Sequence, residues 1–182
     1  GADRYEVSNC RFTGNGLARA DYWLNGGGRG LHIDGGATTY GCSAVVSNCY
    51  FGGNACNKVD ANNVSGIGAL HLSSLRQGDV FDCTFETNGV TWFYPIGAAA
   101  IGNAAGGGAI RANNTPVSLT RCKFLANRVP SGPQNENYCS AVVDITYGET
   151  GKPWSCALTN CLFLGNESVC ANQDCIDSKM TG

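Results

Sequence analysis

The chain has 182 residues, of which 26 are glycine and 14% are charged, and its net charge is −2. This composition argues against a helical globule and favours strands with tight turns. The 12 Lys and Arg residues are not clustered, so the sequence offers no electrostatic basis for binding nucleic acid or an anionic membrane. No apolar run approaches the roughly 18 residues that a membrane span needs, so no membrane-spanning segment is expected.

The first recognisable element is VSNCRFTGN at residues 7–15, and its pattern returns four times. Each copy has an aliphatic residue, two residues that are polar apart from Phe81, then Cys, any residue, Phe, any two residues and Asn. The later copies are VSNCYFGGN at 46–54, VFDCTFETN at 80–88, LTRCKFLAN at 119–127 and LTNCLFLGN at 158–166. The motif cysteines are spaced by 39, 34, 39 and 39 residues, and a fixed period of this size is typical of a solenoid.

A second element precedes each of the last four motifs. Its copies are GRGLHIDGG from Gly28, GIGALHLSS from Gly66, GGGAIRANN from Gly106 and CSAVVDITY from Cys139. Apolar residues alternate within it, as in ALHLS, which is the pattern of a half-buried strand. The following motif breaks the alternation between Val46 and Cys49, which predicts a corner at residues 47–48.

These elements predict one all-β domain over residues 1–182. We expect a right-handed parallel β-helix of about five coils, with a period of about 39 residues and long loops on one edge. A leucine-rich repeat is the rival interpretation, but its repeats run about 20–29 residues and contain a helical segment, which this Gly- and Asn-rich chain does not favour. Residues 1–16 supply half a repeat and residues 167–182 form a Cys-bearing C-terminal tail, so we expect a segment of a longer chain.

Stacking of the coils would place equivalent residues in columns about 4.8 Å apart. We expect the cysteine and phenylalanine columns to face inward, where a thiol behaves as a small buried hydrophobe. We expect the asparagines to lie at turns and to bond to one another. The predicted columns are Cys10, Cys49, Cys83, Cys122 and Cys161; Phe12, Phe51, Phe85, Phe124 and Phe163; and Asn15, Asn54, Asn88, Asn127 and Asn166.

The sequence GGAI at 107–110, followed by Phe124 and Asn127, resembles the repeats of the polymorphic outer membrane protein family, which occur in long surface-exposed β-helices. Through the Phe-x-x-Asn half, the resemblance covers residues 5–167. Three repeats have GLHI, ALHL or VVDI in place of the first half. The resemblance does not extend to the autotransporter barrel that such proteins carry. It implies a β-helical passenger or an extracellular filament module and leaves any ligand open.

The 11 cysteines include no C-x-x-C pair, and the chain has 2 histidines. This favours an oxidising extracellular location over zinc binding, so no metal and no cofactor is expected. The column thiols should be mostly reduced, because stacked Cβ atoms about 4.8 Å apart lie beyond the usual disulfide span. The other six cysteines are disulfide candidates, and their order favours Cys42 with Cys56, Cys139 with Cys156 and Cys170 with Cys175 among other pairings.

Two further sets of residues could carry or contact sugars: asparagines to which a glycan can be attached, and aromatic side chains. Glycosylation sequons begin at Asn63, Asn113 and Asn166, although Asn166 also belongs to the predicted asparagine column. Aromatic residues of the long connections, among them Trp23, Trp92 and Tyr94, could stack on sugars or pack against a partner chain. They could equally fold over the solenoid and shield it.

Aligning the first strands puts His32, His71, Arg111 and Asp144 in one column on the predicted solvent face. Such groups could bind an acidic sugar or supply a general acid and base, as in pectin-cleaving β-helices. An exposed strand also carries polar residues for solubility alone, and fold does not imply function. The paired Asp-Asp, Gly-His-Gly and Arg-x-Lys motifs of polygalacturonases are missing, so no catalytic residue is predicted.

The sequence therefore predicts a non-catalytic structural or adhesive module of an extracellular or cell-surface glycoprotein assembly, such as a filament. Its expected partners are other protein chains, with glycans as further candidates. Two alternatives stay open. One is a polysaccharide lyase or hydrolase acting on acidic glycans, and the other is a carbohydrate-binding module.

Overall fold

The computed structural model describes residues 4–15, 30–36, 41–56, 68–90, 106–130, 139–140, 142–146 and 155–169. These residues form short strands joined by turns, with no helix among them. In chain order the described strands are β1 (Arg4–Ser8), β2 (Arg11–Thr13), β3 (Leu31–Asp34), β4 (Ser43–Ser47), β5 (Tyr50–Gly52), β6 (Ala55–Cys56), β7 (Leu70–Ser73), β8 (Gln77–Phe81), β9 (Thr84–Glu86), β10 (Gly89–Val90), β11 (Gly106–Gly107), β12 (Ile110–Asn113), β13 (Val117–Thr120), β14 (Lys123–Leu125), β15 (Arg128–Pro130), β16 (Cys139–Ser140), β17 (Val143–Thr146), β18 (Cys156–Thr159), β19 (Leu162–Leu164) and β20 (Glu167–Val169).

The strands pair in parallel, each with its equivalent in the neighbouring repeat. The sheets run β1-β4-β8-β13-β18, β2-β5-β9-β14-β19, β3-β7-β12-β17, β6-β10-β15-β20 and β11-β16. The register follows the sequence period, since Val7 lies opposite Val46 and Val46 opposite Val80. The prediction of an all-β, solenoid-like stack of parallel strands is confirmed.

The nine-residue motif forms two strands, with a bend at the corner that the sequence predicts. In the second copy β4 ends at Ser47 and β5 begins at Tyr50, so Cys49 lies between them. The bend contains a residue in the left-handed region at the same place in each repeat. These residues are Asn9 (φ 56°), Asn48 (51°), Asp82 (55°), Arg121 (52°) and Asn160 (53°). Asn and Asp tolerate this conformation because their short side chains can bond to the local backbone, which explains why the corner falls at Asn48.

A second left-handed position precedes each asparagine of the column. It is occupied by Gly14 (φ 66°), Gly53 (63°), Thr87 (53°), Ala126 (49°) and Gly165 (65°). Glycine adopts this conformation without a Cβ clash, whereas alanine does so at a cost. The two bends turn the chain sharply inside each motif. In the four later repeats, the strands before, between and after the bends belong to three different sheets.

The interior is apolar and closely packed. A Cβ at Gly78 would lie 2.7 Å from Leu72 Cδ1, so only glycine fits at that point without movement of its neighbours. The largest fully buried side chains are Phe51, Phe85, Phe124, Leu70, Leu72, Leu75, Ile110, Leu119, Val46 and Val80. Because these residues fill the space between the described sheets, side chains available for function lie in the columns and on the outer faces.

Candidate functional site

The motif phenylalanines form one stack through the interior. Successive ring centroids are 4.8, 4.7, 5.2 and 5.0 Å apart from Phe12 to Phe163, and the interplanar angles lie between 4° and 12°. Phe51, Phe85 and Phe124 are fully buried, whereas the two terminal rings are partly exposed. The stack occupies the position where the sequence places a phenylalanine column.

The asparagine column is held by side-chain hydrogen bonds in both directions. Nδ2 of Asn88 donates to Oδ1 of Asn127 at 3.0 Å and to the carbonyl oxygen of Phe51 at 2.9 Å. Oδ1 of Asn88 accepts from the backbone N–H of Asn54 at 3.0 Å and from its Nδ2 at 3.1 Å. The amide-to-amide bonds continue from Asn15 to Asn166. Buried amides usually require such partners, and this column supplies them internally.

The sequons at Asn113 and Asn166 lie in ordered backbone. Nδ2 of Asn166 donates to the carbonyl oxygen of Phe124 at 2.8 Å, so a glycan there would share a nitrogen with the column. Asn113 is half-buried on β12. The hydroxyl of Thr115, which completes its sequon, is buried and accepts from the N–H of Leu75 at 3.1 Å. Glycan attachment at Asn113 and Asn166 therefore remains a prediction.

The motif cysteines are free thiols, of which Cys49, Cys83 and Cys122 are buried, Cys161 is half-buried and Cys10 is exposed. Each thiol donates to the carbonyl oxygen two residues earlier, as Cys49 does to Ser47 at 3.1 Å and Cys83 to Phe81 at 3.3 Å. Burial raises the pKa of Cys83 to about 12, and the hydrogen bond from the N–H of Cys49 only partly offsets it. Burial likewise raises the pKa of Cys122 to about 11. Thiols with such pKa values are poor nucleophiles and serve as packing groups.

Two expected disulfides are not formed in this structure. Cys42 and Cys156 are free thiols, so neither the Cys42–Cys56 pair nor the Cys139–Cys156 pair is present. Cys42 leads into β4 whereas Cys56 lies on β6, and these strands belong to different sheets. Cys139 on β16 and Cys156 on β18 are likewise in different sheets.

The predicted polar column crosses β3, β7, β12 and β17, where His32, His71, Arg111 and Asp144 lie side by side in register. The prediction that this column faces solvent is wrong for three members. His71 is 4% exposed, Arg111 6% and Asp144 9%, whereas His32 is exposed. The imidazoles of His32 and His71 stack with centroids 4.4 Å apart and planes 7° apart. A side chain inside the row is covered by its neighbours on adjacent strands. A single exposed strand would have no such neighbours.

The buried imidazole of His71 has no hydrogen-bond partner on either nitrogen among the described residues. Burial lowers the pKa of His71 to about 3, with further lowering by His32 and Arg111 against an opposing effect of Asp34. Burial also lowers the pKa of Arg111, and Asp144 opposes that shift. A histidine that stays neutral far below pH 7 is a poor general acid and a weak base, so its environment does not favour proton transfer.

A shallow depression of about 390 Å³ lies along β8 and β13. It is lined by Asp79, Val80, Phe81, Ser118, Thr120 and Arg121. The Ser118 hydroxyl bonds to the Gln77 amide at 3.0 Å, and an amide cannot act as its base. Across the described ranges, no group of three or more His, Cys, Asp or Glu side chains could hold a metal ion.

The structure also reveals an outward cluster that the sequence motif did not mark. The guanidinium of Arg11 lies 4.1 Å from the ring centroid of Tyr50, and the Tyr50 hydroxyl donates to Glu86 Oε2 at 2.7 Å. Bonding to Glu86 is the main cause that raises the pKa of Tyr50. These residues occupy variable positions of the motif, so only their register across β2, β5 and β9 could have indicated the contact.

The remaining candidates lie outside the described residues. They are Trp23, Trp92, Tyr94, Asn63, Cys170 and Cys175. Cys56 and Cys139 are described for their backbone alone. The roles expected for this group stay predictions.

Comparison with known proteins finds no family whose model matches the chain, and no match among curated proteins or solved structures. The described ranges include no helix that is both long enough and apolar enough to cross a membrane. The resemblance to the polymorphic outer membrane protein repeats thus depends on the motif residues alone.

Proposed function

We propose that the protein is a non-catalytic structural or adhesive module of an extracellular or cell-surface assembly. In this proposal the parallel stack is a right-handed β-helix of about five coils with a period of about 39 residues. It is related to the polymorphic outer membrane protein repeats and binds other protein chains. The side chains of the described repeats serve chiefly to hold the stack together.

The observation that carries this proposal is the asparagine column. Nδ2 bonds to Oδ1 of the next asparagine at distances of 2.9 to 3.1 Å in all four steps from Asn15 to Asn166. Asn54, Asn88 and Asn127 are 1%, 2% and 0% exposed. Repeated buried bonds of this kind resist local opening and favour a stiff, protease-resistant rod.

The polar column supports the non-catalytic interpretation. His71 is stacked on His32 and has a pKa lowered to about 3, which disfavours acid–base chemistry at neutral pH. The alternative of a polysaccharide lyase or hydrolase needs exposed proton-transferring groups, whereas His71 and Arg111 are buried. An extracellular location is supported by the sequons, while Cys42 and Cys156, being free thiols, give it no support.

The test is a panel of acidic and neutral polysaccharides assayed for unsaturated products, new reducing ends and heat of binding. We expect no product and no heat, together with persistence of the described core under limited proteolysis. The control is a triple variant, His32→Ser, His71→Ser and Arg111→Ser. Cleavage of an acidic glycan by the parent protein and not by this variant would establish the enzymatic alternative. Heat of binding without cleavage would establish the carbohydrate-binding module.

A further inference from the structure

The depression along β8 and β13 lies inside its sheet, because β8 is paired with β4 and β13, and β13 with β8 and β18. The outward positions of β8 include Asp79 and Phe81, which are both half-buried, whereas Val80 between them points inward and is 1% exposed. Successive outward residues of a strand are about 6–7 Å apart, which is twice the rise of one residue. The carboxylate of Asp79 and the ring of Phe81 therefore lie close enough to contact one small group together.

Phe81 departs from the pattern of its row. The equivalent positions of the other four repeats hold a hydroxyl side chain, and they are Ser8, Ser47, Thr120 and Thr159. The fold therefore does not require an aromatic ring at this position, and the hydrated part of a phenyl ring costs free energy. The third repeat also has a carboxylate, Asp79, two residues before the ring. This combination of ring and carboxylate is what a ligand would recognise.

The charged groups around the depression leave one negative charge uncompensated. The guanidinium of Arg121 donates two hydrogen bonds to the carboxylate of Asp82, each at 2.7 Å, so these two charges offset each other. The hydrogen bond from Arg121 is the main cause that lowers the pKa of Asp82, which keeps that carboxylate ionised. Asp79 has no ion-pair partner among the described residues. Its charge is therefore available to a cationic ligand.

Gln77 fixes the polar side of the depression. Its Nε2 donates to Asp79 Oδ1 at 2.9 Å and to Ser118 Oγ at 3.0 Å. The two bonds hold the carboxylate and the hydroxyl in place before a ligand binds, which lowers the ordering cost of binding. An arginine fork prefers both oxygens of a carboxylate and would compete with Gln77 for Oδ1. An ammonium needs one carboxylate oxygen, so this arrangement favours lysine over arginine.

We propose that this depression binds a lysine side chain of another protein chain. The ammonium lies between the Asp79 carboxylate and the face of the Phe81 ring, and the Ser118 hydroxyl oxygen is a further acceptor for its three donors. The methylene stem of the lysine packs against the ring. The negative charge of the depression selects a cationic partner. The inference names one contact for the chain-binding role in the proposed function and rests on that function to this extent.

The test titrates isotope-labelled protein with short peptides and follows the backbone amide signals by NMR. The probe is a pentapeptide with lysine at its centre, flanked by serine and glycine. Two matched peptides carry Nε-acetyllysine, which keeps the stem and removes the charge, or arginine in place of the lysine. We expect the lysine peptide to shift the signals of Asp79, Phe81 and Ser118. The acetyllysine and arginine peptides should each bind about fivefold more weakly or less tightly still.

Variants of the depression separate the ring from the charge. Phe81→Leu keeps an apolar side chain without a ring, and Asp79→Asn removes the charge at nearly constant shape. Each should weaken binding of the lysine peptide about five- to tenfold. The matched control is Glu6→Gln, which removes a carboxylate from the row of Asp79 at a repeat that has Ser8 in place of the ring. It should bind the peptide as the parent does, and circular dichroism shows whether each variant is folded.

Three results would each overturn the lysine site. They are the absence of shifts at Asp79, Phe81 and Ser118, equal affinity for the acetyllysine peptide, and unchanged affinity in both Phe81→Leu and Asp79→Asn. Equal affinity for the arginine peptide would overturn the choice of lysine. Any of these results without glycan cleavage leaves the non-catalytic function in place, whereas glycan cleavage removes that function whatever the peptides do.

Discussion

Replacing Asn88 by Ala should destabilise the fold far more than the same change at the end of the column. The Asn88 side chain donates to Phe51 O at 2.9 Å and to Asn127 Oδ1 at 3.0 Å. It accepts from the N–H of Asn54 at 3.0 Å and from Asn54 Nδ2 at 3.1 Å. The residue is 2% exposed, so bulk water does not reach the groups that would lose their partners.

The magnitude follows from those contacts. A typical internal hydrogen bond contributes about 1 kcal/mol net, and a buried group left without a partner costs about 1–3 kcal/mol. Loss of the four contacts of Asn88 should therefore cost about 4 kcal/mol or more. Asn15 is exposed, and its side chain donates to Asn54 Oδ1 at 3.1 Å. Asn15→Ala should cost about 1 kcal/mol or less.

Urea unfolding followed by circular dichroism measures both variants against the parent. Similar m values would allow the two free energies to be compared directly. A loss below about 1.5 kcal/mol for Asn88→Ala, or equal losses in the two variants, would refute the argument that buried column bonds stabilise the stack.

Three further predictions concern buried or strained groups. Burial raises the pKa of Cys83 to about 12, whereas Cys10 is exposed. Iodoacetamide in mildly alkaline buffer should therefore label Cys10 of the folded protein well before Cys83. Equal labelling rates, measured by mass spectrometry, would contradict the buried cysteine column. The pKa of His71 is about 3 in the folded state against an ordinary 6.5, so the unfolded state binds the proton first as pH falls. The contribution of neutral His71 to the free energy of unfolding is fully present above about pH 6.5 and is lost towards pH 3. The loss should reach about 3 kcal/mol by pH 4. His71→Gln should flatten that part of the urea-derived stability curve, and an unchanged curve would assign it to another group. Ala126 adopts a left-handed backbone conformation with φ of 49°, so Ala126→Gly should raise the free energy of thermal unfolding by about 0.5–1 kcal/mol. Gly53→Ala should lower it for the same reason. Changes of the same sign in the two variants would contradict a cost of left-handed backbone at these positions.

The repeat period predicted which residues meet across the stack. Asn54 bonds to Asn88, 34 residues away, and Asn88 to Asn127, 39 residues away, which are the spacings of the motif cysteines. The break in alternation after Val46 also indicated the corner at Asn48, where φ is 51°. Such features are readable from sequence because parallel stacking repeats one backbone path, so equal positions in the period become neighbours.

Tertiary structure decided which columns are buried. Alternation placed His71 and Arg111 on the face opposite Leu70 and Leu72, yet both are buried. A pattern along one strand shows which face a side chain takes and contains no information about what covers that face. Cys42 and Cys156 are free thiols, which the order of the cysteines along the chain did not indicate.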